Sequence, residues 1–292
     1  EKSHLDMRLL LLAASLKASS ALFLPSFLPS LSPTPQRNAV LARTSRIVCG
    51  WGPDPVWSEL KIASIEDADA SGSLKEITVE VPAESAEGYT KGGQYVQLKA
   101  PGTDKGAPIA IASSPSAGTT FEFLVKEQPP SDWSPGTGWL TGASVGAAVD
   151  VSQAMGPGFI KSDDDLDGIT DVLCFAVGSG ISPLRSTIES GALKGLDVTL
   201  YYGCRTPDLM SYQDKFEEWE KLGAKVVPVI SKAEGTDWSG KTGYVQDVAK
   251  EAGVANPKAT AVLLCGMKGM AEGVKTFAAE SGIPDDRVWA NF

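Results

Sequence analysis

The chain has 292 residues, 42% hydrophobic and 21% charged, the composition of a globular protein long enough for two modest domains. Its 26 Lys plus Arg against 36 Asp plus Glu give a net charge of −10, and no basic run breaks the acidic body, which argues against nucleic-acid binding. The single histidine, His4, precedes the first methionine, and the four cysteines (Cys49, Cys174, Cys204, Cys265) show no C-x-x-C spacing, so histidine triads, histidine metal sites, zinc ribbons and cysteine-held iron–sulfur clusters are poor readings.

The first fifty residues stand apart. Residues 1–6 precede Met7 and are set aside. From Met7 the chain runs through one base, a short apolar stretch over Leu9–Leu16 and small residues around Ala18–Ala21, the order of a signal peptide. Lys17, Pro25, Pro29, Pro33 and Pro35 interrupt it too often for a membrane span, which needs about 20 apolar residues. After Ala21 the sequence turns Ser/Pro-rich and basic, with no acid between Met7 and Asp54, which is transit-peptide composition. The two parts in series resemble the bipartite plastid presequence of algae, with Phe23 as the aromatic that follows the signal cleavage site. A secretory signal followed by a linker is the alternative. Residues 1–50 are read as presequence, leaving a mature protein without a stable transmembrane segment. They hold six of the bases and two of the acids, so the chain from Trp51 onward has 20 bases and 34 acids, net −14.

Residues 51–160 read as strands. Ser73–Val81, Gln94–Leu98 and Phe121–Lys126 alternate apolar with polar residues between Gly/Pro/Ser/Asp clusters, which predicts an antiparallel barrel or sandwich. The Gly- and Asp-rich Gly156–Asp171 is the expected joint. Across residues 161–292 apolar runs (Val172–Val177, Val198–Tyr202, Val226–Ile230, Ala261–Leu264) alternate with helical stretches (Pro183–Ser190, Leu209–Leu222, Tyr244–Ala252, Gly269–Ser281). That alternation predicts a doubly wound parallel sheet.

Two local signals carry chemistry. In the first, a buried strand ends at Val177, Gly178-Ser179-Gly180 makes a turn, and a helix starts around Ile181-Ser182-Pro183. Glycines let backbone N–H groups approach an anion, Pro suits a first helical turn, and the helix N-terminus favours a pyrophosphate. A tight strand–helix turn that needs two glycines is the plainer reading. The second signal is Cys265-Gly266-Met267, again strand, glycine, helix. Two such turns at the C-terminal ends of parallel strands would line one crevice. Cys265 taken alone reads as a buried apolar filler, since nothing local lowers its pKa.

Five segments in order carry a resemblance. GSGISPLRS is similar to the G-T-G-I-A-P-F-R-S segment of the ferredoxin–NADP⁺ reductase superfamily, YYGCRTPDLMSYQDKFEEW to its Y-G-x-R-x-x-x-D-L-x-Y-x-x-E-F segment, and CGMKGM to its C-G-x-x-x-M. TKGGQYVQLKAP is similar to the P-G-Q-Y-V strand of its flavin barrel, and MGPGFI to its G-P-x-G-x-F barrel exit. The resemblance implies a two-domain protein: an N-terminal antiparallel β-barrel holding FAD, then a C-terminal α/β doubly wound parallel sheet holding NAD(P)H. It also implies hydride transfer between the two cofactors. By position, Gly178, Ser179, Gly180, Ile181, Ser182 and Pro183 would hold the dinucleotide pyrophosphate, and Cys265 would sit beside the nicotinamide–flavin contact. Phe292 would cover the flavin ring, or else anchor the terminus in the core. Ile109, Ala110 and Ile111 would form the flavin strand, and Gly138, Trp139, Leu140 and Thr141 would offer backbone groups to phosphate. Gly203, Arg205, Gly266 and Met267 complete the cofactor-binding set, with Ser231-Lys232 standing where family members place a Ser-Arg pair for the 2′-phosphate of NADP. Asp208 nearby and the point charge of Lys232 leave NAD and NADP both open.

The family's flavin fingerprint, R-x-Y-[ST], is absent. Ala107 stands for the arginine, Ile109 for the stacking tyrosine and Ala110 for the hydroxyl. A charge-assisted hydrogen bond is worth roughly 1.5–3 kcal/mol and ring stacking about 0.5–1.5, so losing both would weaken FAD binding by about two to three decades unless other residues compensate. Two functions follow. One is an NAD(P)H-dependent flavin oxidoreductase in a plastid, passing electrons to a separate, unidentified acceptor; the other is a flavin-free nucleotide-binding or interaction subunit of a plastid complex.

Overall fold

The structure, a computed structural model, describes residues 54–132 and 134–291; residues 1–53 (the expected presequence among them), Trp133 and Phe292 lie outside the described residues. The first half comprises β1 (Trp57–Asp67), β2 (Leu74–Glu80), a short α1 (Ala83–Glu87), β3 (Tyr95–Lys99), β4 (Ala107–Ala110), β5 (Thr120–Lys126), α2 (Gly138–Thr141) and β6 (Ala148–Ser152). The strands pair antiparallel in the order β4-β3-β6-β1-β2-β5. A register shift between Ile62 and Ser64 bends β1, so that its first half pairs with β6 and its second with β2. The edges approach where Ala112 N–H donates to the Glu122 carbonyl at 2.7 Å and Glu122 N–H to the Ser113 hydroxyl at 3.1 Å, giving a barrel rather than a sandwich. Alternation does the sorting: Phe121, Phe123 and Val125 fill the barrel core, while Glu122, Leu124 and Lys126 point the other way.

The second half comprises β7 (Asp171–Val177), α3 (Ile181–Glu189), β8 (Asp197–Cys204), α4 (Phe216–Lys221), β9 (Ala224–Ile230), β10 (Lys241–Thr242), α5 (Val245–Ala252), β11 (Thr260–Cys265), α6 (Lys268–Glu280) and β12 (Val288–Ala290). All its strands are parallel, in the order β10-β9-β8-β7-β11-β12. One apolar core packs on α3 and α4, the other on α5 and α6, which is why β7 and β11 read as near-continuous apolar runs. The chain winds outward from β7 through β10, then returns to β11 on the other side of β7. The switch point therefore lies at the C-terminal ends of β7 and β11. Both sheets fall within a single compact unit.

One element departs from expectation. The helix expected over Leu209–Leu222 is helical only at Phe216–Lys221, preceded by two single turns, Pro207–Leu209 and Gln213–Lys215. Between them Tyr212 adopts a left-handed backbone (φ 60°), and its ring lies 4.6 Å from the Arg185 guanidinium. Tertiary packing of that ring overrides the local helical pattern. No helix among the described residues is long and apolar enough to cross a membrane.

Candidate functional site

A cleft of about 590 Å³ opens between the barrel and the C-terminal ends of β7 and β11. Its barrel wall is Tyr95, Ala107–Ala110, Leu124–Lys126, Gln128, Ser134 and Thr137; its opposite wall is Val177, Ser179, Gly180, Ser182, Pro183, Cys265–Met267 and Asn291. That volume suits a cofactor-sized ligand.

The opposite wall is built by backbone. Gly178 has φ +56°, which only glycine adopts freely at the end of a strand. A Cβ on Gly180 would overlap the Cys265 carbonyl oxygen, so the two turns are pressed against each other and neither glycine is interchangeable. The Ser182 hydroxyl donates to the Ser179 carbonyl at 2.9 Å, and the buried Tyr202 hydroxyl donates to the Gly178 carbonyl at 3.4 Å, fixing the turn from below. Gly180 thus serves turn-to-turn packing, whereas the expectation gave both glycines to the approach of an anion. Burial pushes the Cys265 thiol up to about 12, so it is a neutral lining group with no thiolate at physiological pH.

The barrel wall is built by side chains. Tyr95 is the cross-strand partner of Ala110, and Val96 that of Ile109, so the Tyr95 ring stands beside the strand where the family's aromatic is missing. Burial raises the Tyr95 phenol. Lys126 is the cation among the described lining residues, and no carboxylate lines the cleft among them, in a body that carries −14. Sequence reasoning passed over Tyr95, Lys126, Gln128, Ser134, Thr137 and Asn291; alternation in QYVQL and FEFLVK gives the faces of the first two but not their place in the cleft.

The residues singled out in the sequence divide into three groups. Ile109, Ala110, Ser179, Gly180, Ser182, Pro183, Cys265, Gly266 and Met267 line the cleft, Met267 with two thirds of its surface exposed. Ile111, Leu140, Gly178, Ile181 and Gly203 do not: Ile111 and Leu140 are buried in the barrel core, Gly178 shapes the turn from outside the lining, Ile181 is in the core beneath α3, and Gly203 gives its missing side chain's space to Val245. Gly138, Trp139 and Thr141 are outside the lining as well, where Thr137 takes their place; the Thr137 hydroxyl donates to the Lys126 carbonyl at 2.5 Å. Arg205, Ser231 and Lys232 form a separate exposed group at the ends of β8 and β9, joined by backbone bonds from Ser231 N–H to the Cys204 carbonyl (3.0 Å) and from Lys232 N–H to the Arg205 carbonyl (2.8 Å). Phe292 lies outside the described residues, but its neighbour Asn291 is held between the halves, its N–H donating to Leu264 and its side-chain amide to Gly93 of the barrel.

The chemistry of the lining fits the meeting point of a flavin ring and a dinucleotide. An apolar strand edge with an adjacent aromatic can hold a ring, Lys126 can meet a phosphate, and the glycine turns leave room on the facing wall. The profile of the oxidoreductase NAD-binding domain matches residues 175–276, which include both turns. The fruit protein pKIWI502 of Actinidia deliciosa is 32% identical over 247 residues, 80% of this chain and 76% of that one. The reductase component of propane 2-monooxygenase from Mycolicibacterium smegmatis is 29% identical over 68% of this chain, which spans 58% of that relative's length. The fold is shared with a ferredoxin–NADP⁺ reductase from Neisseria gonorrhoeae solved with bound FAD and NADP (TM-score 0.65, 17% identity, covering 81% of this chain and 99% of that one). With an antiparallel barrel, a parallel sheet wound about a glycine turn, and a cleft at their junction, the chain belongs to the ferredoxin–NADP⁺ reductase superfamily.

Proposed function

We propose that the protein is an NAD(P)H-dependent flavin oxidoreductase whose electron acceptor is a separate molecule. The observation that carries this reading is the cleft: it joins the flavin-type strand β4 to the two nucleotide-type turns and is free of carboxylates among its described lining residues. A flavin held there would accept hydride from a reduced nicotinamide. The chain's own part is to bind and orient. Ser179, Gly180, Ser182 and Pro183 would receive the dinucleotide pyrophosphate at the start of α3, and Cys265–Met267 would bound the nicotinamide end. Tyr95 would pack on the flavin ring beside Ala110, and Lys126 would meet a flavin phosphate in place of the arginine replaced by Ala107. The protonated Cys265 adds polarisable bulk without a competing nucleophile.

Arg205 and Lys232, adjacent at the exposed ends of β8 and β9, favour NADP over NAD. The basic, acid-free stretch from Met7 supports a plastid location, reached through a bipartite presequence. The net charge of −14 disfavours an acidic protein acceptor. Reconstitution of the purified protein with FAD, followed by anaerobic titration with NADPH and NADH, tests the reading: visible flavin absorbance that bleaches with coenzyme supports it. Protein that stays colourless in excess FAD supports the flavin-free alternative, which the joint replacement at Ala107, Ile109 and Ala110 favours.

A further inference from the structure

Helix α3 is buried on almost every side, although its sequence, ISPLRSTIE, is half polar. Ser182, Arg185, Ser186 and Thr187 are all buried with it. Their partners explain this. The Ser186 hydroxyl accepts from the Gly93 N–H of the barrel at 3.1 Å, and a Cβ on Gly92 would overlap the Thr187 backbone, so the Gly92-Gly93 loop is pressed flat against the helix. Directly before Ser186, Arg185, with 5% of its side chain exposed, meets three carboxylates from three elements. Its Nη1 bonds Glu76 of β2 at 3.1 Å, its Nη2 bonds Glu122 of β5, and its Nε bonds Glu189 of α3 at 3.0 Å. Tyr212 stacks on the guanidinium at 4.6 Å, and the Trp219 indole donates to Glu189 at 2.9 Å.

The geometry points to Arg185 as a positioning residue for hydride transfer: by clamping α3 to two neighbouring barrel strands, it sets the separation between the dinucleotide turn at the head of α3 and the flavin wall of the cleft. The inference rests on the proposed oxidoreductase reading and adds the residue that aligns its two halves. Each feature of the cluster fits. The turn Gly178–Gly180 leads directly into α3, so any tilt of the helix moves Ser179 and Pro183 in the cleft. Glu122 shares the outward face of β5 with Leu124 and Lys126, which line the cleft, so the clamp grips the wall that the flavin would use. The three carboxylates meet three different nitrogens of one planar fork, Nε, Nη1 and Nη2, whereas the three donors of a lysine ammonium share a single nitrogen and cannot span those positions. Donor–acceptor geometry matters at this scale, because hydride transfer tolerates little misplacement of the reacting atoms.

Arg185→Met alone would leave three carboxylates facing one another and could fail to fold. The informative protein is therefore the triple variant Arg185→Met, Glu76→Gln, Glu122→Gln, which removes the clamp and three of its four charges and leaves the Glu189 carboxylate held by the Trp219 indole. Two measurements are made on the full chain. The first is amide hydrogen exchange at residues 91–95, the barrel loop against α3, with and without FAD. Exchange there is expected to rise at least tenfold in the triple variant, with exchange in β7 and β11 unchanged. The second is the single-turnover rate of flavin reduction at saturating NADPH. It is expected to fall at least tenfold at unchanged FAD content and with the coenzyme dissociation constant within about threefold, and Arg185→Lys is expected to fall between wild type and the triple variant.

An unchanged exchange pattern would overturn the clamp, and an unchanged reduction rate in an opened variant would overturn the positioning role. A fall in rate that tracks lost FAD or a lowered Tm would mark Arg185 as merely structural and also overturn it. Wild-type protein that takes up no FAD, or whose flavin NADPH does not reduce, would overturn the oxidoreductase reading and with it the positioning role, whereas the exchange experiment would still decide whether the clamp exists.

Discussion

The two walls of the cleft face each other but are built by opposite means. On the nucleotide side, shape comes from backbone: Gly178 supplies a positive φ, Gly180 supplies the absence of a Cβ beside Cys265, and side chains only brace the turn. On the barrel side, shape comes from side chains, contributed by β3, β4 and β5 in register. A backbone-built wall has few solutions, because a side chain at Gly180 meets the Cys265 carbonyl and the positive φ of Gly178 favours glycine. A side-chain-built wall has several, because an aromatic or a cation can arrive from a neighbouring strand. The glycine motifs are accordingly kept here, while the barrel fingerprint is replaced at Ala107, Ile109 and Ala110 with Tyr95 and Lys126 at hand.

The sharpest way to break this contrast is Gly180→Val. Its side chain must displace the Cys265 carbonyl and Gly266, so the variant is expected to lose roughly 1–3 kcal/mol of stability or more and to lose measurable coenzyme binding. Thermal unfolding and calorimetric titration with NADP⁺ check this, and a variant that binds normally would show that the turn has slack. The parallel sheet behind that wall is sensitive to alkali. Burial raises Cys174 and Cys265 to about 12 and Cys204 to about 11, from 9.0. Each thiol stays neutral in the fold while its unfolded counterpart ionises, so the stabilisation is complete below about pH 9 and is lost above it. The expected slope approaches 1.4 kcal/mol per pH unit per thiol, and denaturant midpoints in Cys174→Ala should fall less steeply between pH 9 and 11 than those of the wild type.

The barrel wall should respond more gently. Lys126→Gln is expected to weaken FAD binding by about tenfold, the low end for a charge-assisted hydrogen bond because Lys126 is exposed. Recovery of affinity in Lys126→Arg would confirm that charge is what counts, as read by quenching of flavin fluorescence. The smallest effect is expected at the exposed ends of β8 and β9. There Lys232→Ala should raise the KM for NADPH about threefold, a contact worth under 1 kcal/mol, and leave NADH unchanged.

The contrast also explains what could be read from the sequence. Periodicity located the main strands, and glycines followed by a helix start located the nucleotide turns, because both signals are local. The expected helix at Leu209–Leu222 failed because Tyr212 is drawn into a left-handed backbone by a partner 27 residues earlier in the chain, Arg185. Ile111 and Leu140 enter the cofactor set through the resemblance alone; Ile111, just past β4, and Leu140, in the short α2, both pack into the barrel core. Tyr95 and Lys126 were hidden for the converse reason: their part in the cleft depends on cross-strand register, which sequence spacing does not fix. Arg185 was visible as a letter of the GSGISPLRS motif, but its three carboxylate partners come from elements up to 109 residues away.

The most direct test of the central claim is anaerobic titration of the FAD-reconstituted full chain with NADPH, following the visible flavin absorbance. Stoichiometric bleaching, lost in Gly180→Val and weakened in affinity for FAD by Lys126→Gln, is the result predicted. A protein that binds NADP⁺ but takes up no FAD at any concentration would contradict it.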